Sequence, residues 1–487
     1  MIHPHAVVLH GHFYQPPRED PWTEVVPEQP SAAPFHDWNE RIAHECYEPV
    51  VSARVLGPDG QEHDSINTLE WMSFNFGPTL LVWLEEHAPA TYAAVLDADR
   101  LSRTRLGHGN AIAMPAHHPI LPLSNSRDRQ TEIRWGIADF ERRFGRKPEG
   151  MWLPETAVDE ATLDALAAEG ILFTILAPHQ VDPVPEGGRP ALFRTASGRE
   201  IALFVYDGPL SHDVAFGALL RDGVEWAERM APFAEGKATS RSGEATLVSL
   251  ATDGETFGHH HTFAEMALAK AIMTLDERED VIVENFSSFL ARHGTEAPVS
   301  LVAPSAWSCA HGVGRWSEDC GCKADPSTPS QQEWRGPLRR SLEWLSEQLA
   351  AVFEEEGGAF FADPWDVRDQ YGTVVTRSRD VRAAWLHGIA PSTRADRSAE
   401  DRALELLEMQ RNSLRLFTSC AWFFDDIDRL EPRQVLAYAA RALEQAGPEG
   451  ARIRQGFLTR LEGVLCNDEA TGNAAAVFLR DEADRRP

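Results

Sequence analysis

Gly150-Met151-Trp152-Leu153-Pro154-Glu155 reads as a short apolar strand that delivers a carboxylate at its end, before a turn and a helix. Leu250-Ala251-Thr252-Asp253-Gly254-Glu255-Thr256-Phe257-Gly258 is built the same way. In α/β folds the carboxyl ends of parallel strands converge on one face, and active sites form there. Glu155 and Asp253 are therefore expected to meet as a pair. Cleavage of a glycosidic bond needs such a pair: one acid protonates the leaving oxygen, the other attacks or activates water. Each acid taken alone also fits an ordinary place at a helix N-terminus, where the dipole favours negative charge.

Working outward, strand and helix patterns alternate to about residue 310. Strands are expected at Ala6–Leu9, Arg105–His108, Gly150–Leu153, Ile171–Leu176, Ile201–Tyr206, Thr246–Ala251 and Ser300–Ala303. Several are near-continuous apolar runs, as strands buried on both faces should be. Helices are expected at Asp128–Phe144, Ala157–Glu169 and Phe263–Met273, with Gly145 and Gly170 as stop signals. The alternation predicts an irregular seven-stranded (β/α)7 barrel, with an open doubly wound sheet as the alternative. Beyond about residue 330 the strand signals fade, and Trp334–Phe353, Ser398–Phe417, Pro432–Gln445 and Ala451–Leu465 read as amphipathic helices. The expected segmentation is a barrel over 1–310, a Cys/Gly-rich loop over 311–330 and a helical region over 331–487. The last dozen residues are polar and expected to fray.

The chain has 487 residues, too many for one ordinary core. Its formal net charge of -29 argues against nucleic acid or an anionic membrane as partner. The start, Met1-Ile2-His3-Pro4-His5, lacks the basic and apolar regions of a signal peptide. No apolar run approaches the ~18 residues of a membrane span. Six Cys in a chain this long do not make a disulfide scaffold, and a cytoplasmic location is expected. Fourteen Trp residues are many; they serve cores, and some offer flat faces on which sugar rings stack.

Two histidine-bearing stretches follow strand candidates. In His10-Gly11-His12-Phe13-Tyr14-Gln15-Pro16-Pro17 the two histidines share a strand face. Metal ligation, hydrogen bonding to sugar hydroxyls and ordering of the Pro-rich loop all fit that spacing. Gly107-His108-Gly109-Asn110, with His117-His118-Pro119-Ile120-Leu121-Pro122 after it, is similarly rich in groups that bond hydroxyls.

The ordered set His-x-His, His-Pro-Ile-Leu-Pro, Trp-Leu-Pro-Glu and Asp-Gly-Glu-x-Phe-Gly resembles glycoside hydrolase family 57 over roughly residues 1–310. That family contains α-amylases, 4-α-glucanotransferases, branching enzymes and related α-glucan enzymes, on a seven-stranded barrel with a helical region behind it. The resemblance implies Glu155 as nucleophile and Asp253 as general acid/base. It implies His12 at the subsite where the bond breaks, with His10 beside it, Trp152 packed on bound sugar, and Glu255 as an acid near Asp253. His118 stands where some members carry Glu. Tyr14-Gln15-Pro16-Pro17 is longer than the usual His-Gln-Pro form. The implied partner is an α-glucan or maltooligosaccharide, with no cofactor.

Ser305-Ala306-Trp307-Ser308-Cys309-Ala310-His311-Gly312 leads to Arg315-Trp316 and Cys320-Gly321-Cys322. Trp307 and Trp316 are candidate sugar platforms. Cys309, His311, Cys320 and Cys322 have the chemistry of a zinc site, but their short spacings are atypical; a redox-sensitive pair and a loop of free thiols are the other readings. No catalytic metal is expected. Thr418-Ser419-Cys420-Ala421-Trp422-Phe423-Phe424-Asp425-Asp426 is expected to pack a helix, with Trp422 and its acids as remote candidates for the cleft. Two other classes stay open: a metal-dependent carbohydrate deacetylase, and a catalytically silent glucan-binding protein.

Overall fold

The strand His5–Phe13 organises the barrel in the computed structural model, which describes residues 5–57, 59–231 and 245–485. Along one edge it pairs in parallel with Thr246–Asp253, from His5 opposite Thr246 to His12 opposite Asp253. Its other edge is shared between Val281–Val283, beside its first half, and Ser73–Phe76, beside its last. Single parallel steps then carry the ladder from Phe74 to Ala111, from Ala113 to Met151 and from Gly150 to Phe173. Phe173–Leu176 pairs in parallel with Glu200–Val205. The Asp207 N–H donates to the Ser249 carbonyl at 2.7 Å, which returns the path to Thr246–Asp253. Seven segments thus close on themselves, several through one or two bonds, which makes the barrel irregular.

Two of the expected strands are not in that ring. Arg105–His108 is no strand: the helix Pro89–Leu106 runs through its start, and Gly107 at φ 78° ends it left-handed. Ser300–Leu301 makes only a two-residue antiparallel pair with Val181–Asp182. Their places belong to Ser73–Phe76 and residues 111–113, too short to show a period-two pattern. The helix starts follow their caps. Asp159 accepts from the Thr162 N–H at 2.8 Å and starts Glu160–Ala168. The helices Pro78–His87 and Pro89–Leu106 were not expected, although each begins with the proline favoured at a first helical position.

The chain divides into two compact units. One holds the residues up to Gln15 with Glu28–Met114 and Phe140–Ala303; the other holds Pro16–Pro27, Pro115–Asp139 and the chain from Pro304 on. Residues 16–27 and 115–139, which precede residue 310, are thus grouped with the helical unit. That unit is built on Arg335–Gly357, Arg397–Arg415, Leu430–Gln445 and Pro448–Leu461, with Pro364–Tyr371 and Arg379–Ile389 between. The carboxy-terminal stretch forms the helix Ala474–Arg485 instead of fraying, because Val477 and Phe478 are buried. The amino-terminal Met1–Pro4 and residues 486–487 lie outside the described residues. Among the described residues no helix is long and apolar enough to cross a membrane.

Candidate active site

The barrel ladder sets three polar side chains in one row. His12 on the first strand is opposite Asp253 on one neighbour and Asn75 on the other. Residues opposed in parallel strands point to the same side. Asn75 then fixes the histidines: its amide nitrogen donates to His12 Nδ1 at 2.9 Å, and its oxygen accepts from His10 Nε2 at 3.2 Å. Ser73 Oγ lies 3.1 Å from His10 Nδ1. His12 is therefore held as the neutral tautomer whose proton is on Nε2. Burial pushes both pKa values down to about 3, with the neighbouring His12 adding to the effect on His10.

Trp152 packs against both histidines. Its ring stacks on His10 at 4.8 Å and on His12 at 5.1 Å. It has no exposed surface, and neither has His10. Both pack beside His12, with the two His10 ring nitrogens bonded to Ser73 and Asn75. His12, at 5% exposed, is the member of the pair with access to the surface.

Glu155 sits on a turn held in an uncommon shape. Its φ is 57°, and that of Thr156 is 48°, left-handed values that cost a non-glycine residue about 1–3 kcal/mol each. Buried Gln180 clamps the turn. Its amide nitrogen donates to the Thr156 carbonyl at 2.8 Å, and its oxygen accepts from Thr156 Oγ1 at 2.9 Å and the Ala177 N–H at 2.8 Å. Leu153, just before, is buried in the barrel core. The strained turn is thus fixed on both sides, and Glu155 remains half-buried at the strand end.

Asp253 is also half-buried. Its pKa is pushed well above the usual carboxylate range, first by desolvation, then by the charges of Glu255 and Glu155. Asp253 thus feels the charge of Glu155, the other acid singled out in the sequence. Tyr206, the residue after the strand Glu200–Val205, is perturbed upward by burial and by Asp253. Gly254 must lack a side chain: a Cβ there would stand 2.2 Å from the Phe13 ring. Phe257 anchors the motif in the core by stacking on Trp226 at 6.1 Å.

Glu255 is buried, with Tyr47 Oη donating to its Oε1 at 2.6 Å and the Tyr14 N–H at 3.1 Å. It holds the Tyr14 backbone in place and contributes charge beside Asp253. Burial raises its pKa to about 7 from 4.5, against those hydrogen bonds. The unfolded chain loses this proton near pH 4.5, the folded chain only near 7. Stability linked to the group is therefore complete below about 4.5 and is lost as pH rises through about 7. Glu255→Gln removes the titration. Between pH 4.5 and 7.5 the wild type should lose up to about 3 kcal/mol more unfolding free energy than the variant, measured by urea denaturation. Parallel profiles would contradict this reading.

His118, Trp307 and Trp316 belong to the second unit. His118 Nδ1 bonds Ser419 Oγ at 2.6 Å, and its carbonyl accepts from the Ser419 N–H. Trp316 is fully buried in the short helical turn Gly314–Trp316, so it serves that unit's core and not as a sugar platform. Trp307 is half-buried. Trp422 is a core residue whose Nε1 donates to the Arg335 carbonyl at 3.2 Å. Asp425 accepts from the Ala324 and Asp325 N–H groups, and so anchors a loop. Asn75, Tyr47, Gln180 and Tyr206 went unnoticed in the sequence. Tyr206 alone carried a signal, as the polar end of an apolar strand run.

The strands describe an irregular β/α barrel with Glu155 and Asp253 at strand ends. Residues 99–301 match the model of glycosyl hydrolase family 57, so the likeness first seen in the motifs is borne out. Residues 331–482 match a domain of unknown function, DUF3536. The chain is 24% identical over 138 residues to alpha-amylase 1 of Dictyoglomus thermophilum, a stretch covering 28% of this chain and 18% of that protein. An exo-type maltose-forming amylase from Pyrococcus sp. ST04 shares the fold with a TM-score of 0.73 and 16% identity, over 94% of this chain and 83% of its own. A family 57 branching enzyme from Pyrococcus horikoshii does so with a TM-score of 0.57 and 16% identity, over 98% and 94%.

Proposed function

We propose that this chain is a retaining enzyme of α-glucan chemistry, a glycoside hydrolase or a glycosyl-transferring enzyme, with its chemistry in the barrel. Glu155 attacks the anomeric carbon and forms a glycosyl ester while Asp253 gives its proton to the leaving oxygen. Asp253, now a carboxylate, takes a proton from water or a sugar hydroxyl, which displaces Glu155 from the sugar. The observation that carries this reading is Asp253 opposite His12 at the end of its strand, half-buried and feeling the charges of Glu255 and Glu155, which favour its protonated form. An acid must hold its proton near neutral pH, and desolvation with two neighbouring carboxylates favours that. The clamped turn supports Glu155 as the group whose position matters. His12, neutral with its proton on Nε2, stands in the same row as Asp253.

The family match and the two named neighbours support α-glucan as the substrate class. A metal-dependent deacetylase would need free histidine nitrogens, and His10 has both in use, with His12 Nδ1 bonded as well. The test is incubation with maltooligosaccharides, amylose and α-linked disaccharides, with products resolved by chromatography. Shorter products are expected, with longer ones where transfer competes. Folded protein that leaves every one of these substrates unchanged would reject the proposal.

A further inference from the structure

We propose that Cys309, His311, Cys320 and Cys322 form a structural zinc site in the helical unit. Their ligand atoms lie within 4.8 Å of one another, and among the described residues they are the one such group of three or more. Cys309 Sγ is 3.9 Å from both Cys320 Sγ and Cys322 Sγ, and Cys322 Sγ is 3.6 Å from His311 Nδ1. Zinc binds thiolate sulfur at about 2.3 Å and imidazole nitrogen at about 2.0–2.1 Å, tetrahedrally. The edges of that tetrahedron are about 3.8 Å between two sulfurs and about 3.6 Å between sulfur and nitrogen. The three measured separations match these edges. Four ligands with no open position make a structural site, not a catalytic one.

A disulfide fits the arrangement less well. It joins two sulfurs at about 2.05 Å and would strand the third thiol and the imidazole. Here one sulfur is equidistant from two others, as it would be around a common ion. An iron–sulfur cluster, with several metal atoms inside, would hold its ligands farther apart.

The surrounding chain is shaped for the same purpose. Gly321, between Cys320 and Cys322, has φ 79°, and this left-handed step turns the two thiols to one point. The N–H of Cys322 is directed at Cys320 Sγ, and that of Ala310 at Cys322 Sγ, as outer partners of metal-bound thiolates should be. Arg335 Nη1 donates to the Cys322 carbonyl at 2.7 Å. Its charge offsets the single negative charge of one zinc with three thiolates and a neutral imidazole. Arg335 also begins the helix Arg335–Gly357, so the ion would fasten a loop of little regular structure to the start of that helix.

The full chain, expressed with zinc in the medium and purified without chelator, should contain one zinc per molecule by mass-spectrometric metal analysis. The double variant Cys320→Ser/Cys322→Ser should fall below about a tenth of that, while Cys466→Ser keeps it. Should the double variant fail to fold, the wild type decides. Exchange with cobalt(II) should give the intense visible absorption of a tetrahedral thiolate complex, and Cys309, Cys320 and Cys322 should resist alkylation until chelator is added. A wild type that stays zinc-free after incubation with zinc, a double variant that retains the metal, or a native disulfide among these three cysteines would overturn the proposal.

Discussion

Glu155→Gln should abolish turnover of α-glucans while leaving the fold intact. The amide keeps the shape of the side chain but cannot form the glycosyl ester. The loss should exceed the roughly 10²–10⁴ that proton transfer contributes, because the covalent route itself is removed. Folding should survive, since Thr156 and Gln180 clamp this turn and the amide keeps the shape of the Glu155 side chain. The variant should therefore unfold at nearly the wild-type temperature, and it should still bind maltooligosaccharides in calorimetry. Near-normal hydrolysis by Glu155→Gln would remove this residue from the chemistry.

Asp253→Asn should lose on the order of 10²–10⁴ in kcat/KM on natural glucans, where a poor leaving group needs its proton. On a nitrophenyl glycoside the loss in the first step should shrink, because that leaving group departs as an anion. The split between substrates is the informative quantity. A merely structural Asp253 would cost both substrates equally. Asn copies the uncharged acid and cannot ionise against Glu255 and Glu155, so the variant should unfold no more easily than the wild type at pH 7 and above.

The two acid-bearing stretches were readable because each couples an apolar run to one polar residue at its end. That pattern pointed to the α/β class and placed both acids at strand ends. The strands themselves were harder. Ser73–Phe76 has four residues, and residues 111–113 join the ring through isolated steps, so neither shows a pattern in sequence. Arg105–His108 went astray because a helix end and a short strand look alike when Gly follows.

The site was legible in its charged members and not in its supports. His10 and His12 share a face, as their spacing implies, but sequence spacing cannot say which one is capped by Ser73 and Asn75, sixty-odd residues away. Trp316 looked like a sugar platform because an indole has the same appearance in a sequence whether it is buried or exposed. The Cys309–Cys322 loop showed the opposite failing. Its spacings fit no common zinc motif, yet Gly321 bends the backbone so that the four ligand atoms converge.

Retention of configuration is where double displacement is most exposed. Two inversions at one carbon return an α-bond to an α-product, whereas one inversion by activated water gives β. Proton NMR of sugar freshly released from an α-glucan, recorded before mutarotation, reads this directly. With Glu155 as nucleophile and Asp253 as acid/base, the α-anomer should appear first, and β should grow only at the rate of mutarotation. First appearance of the β-anomer would exclude a glycosyl ester and leave Glu155, at most, a base acting through water.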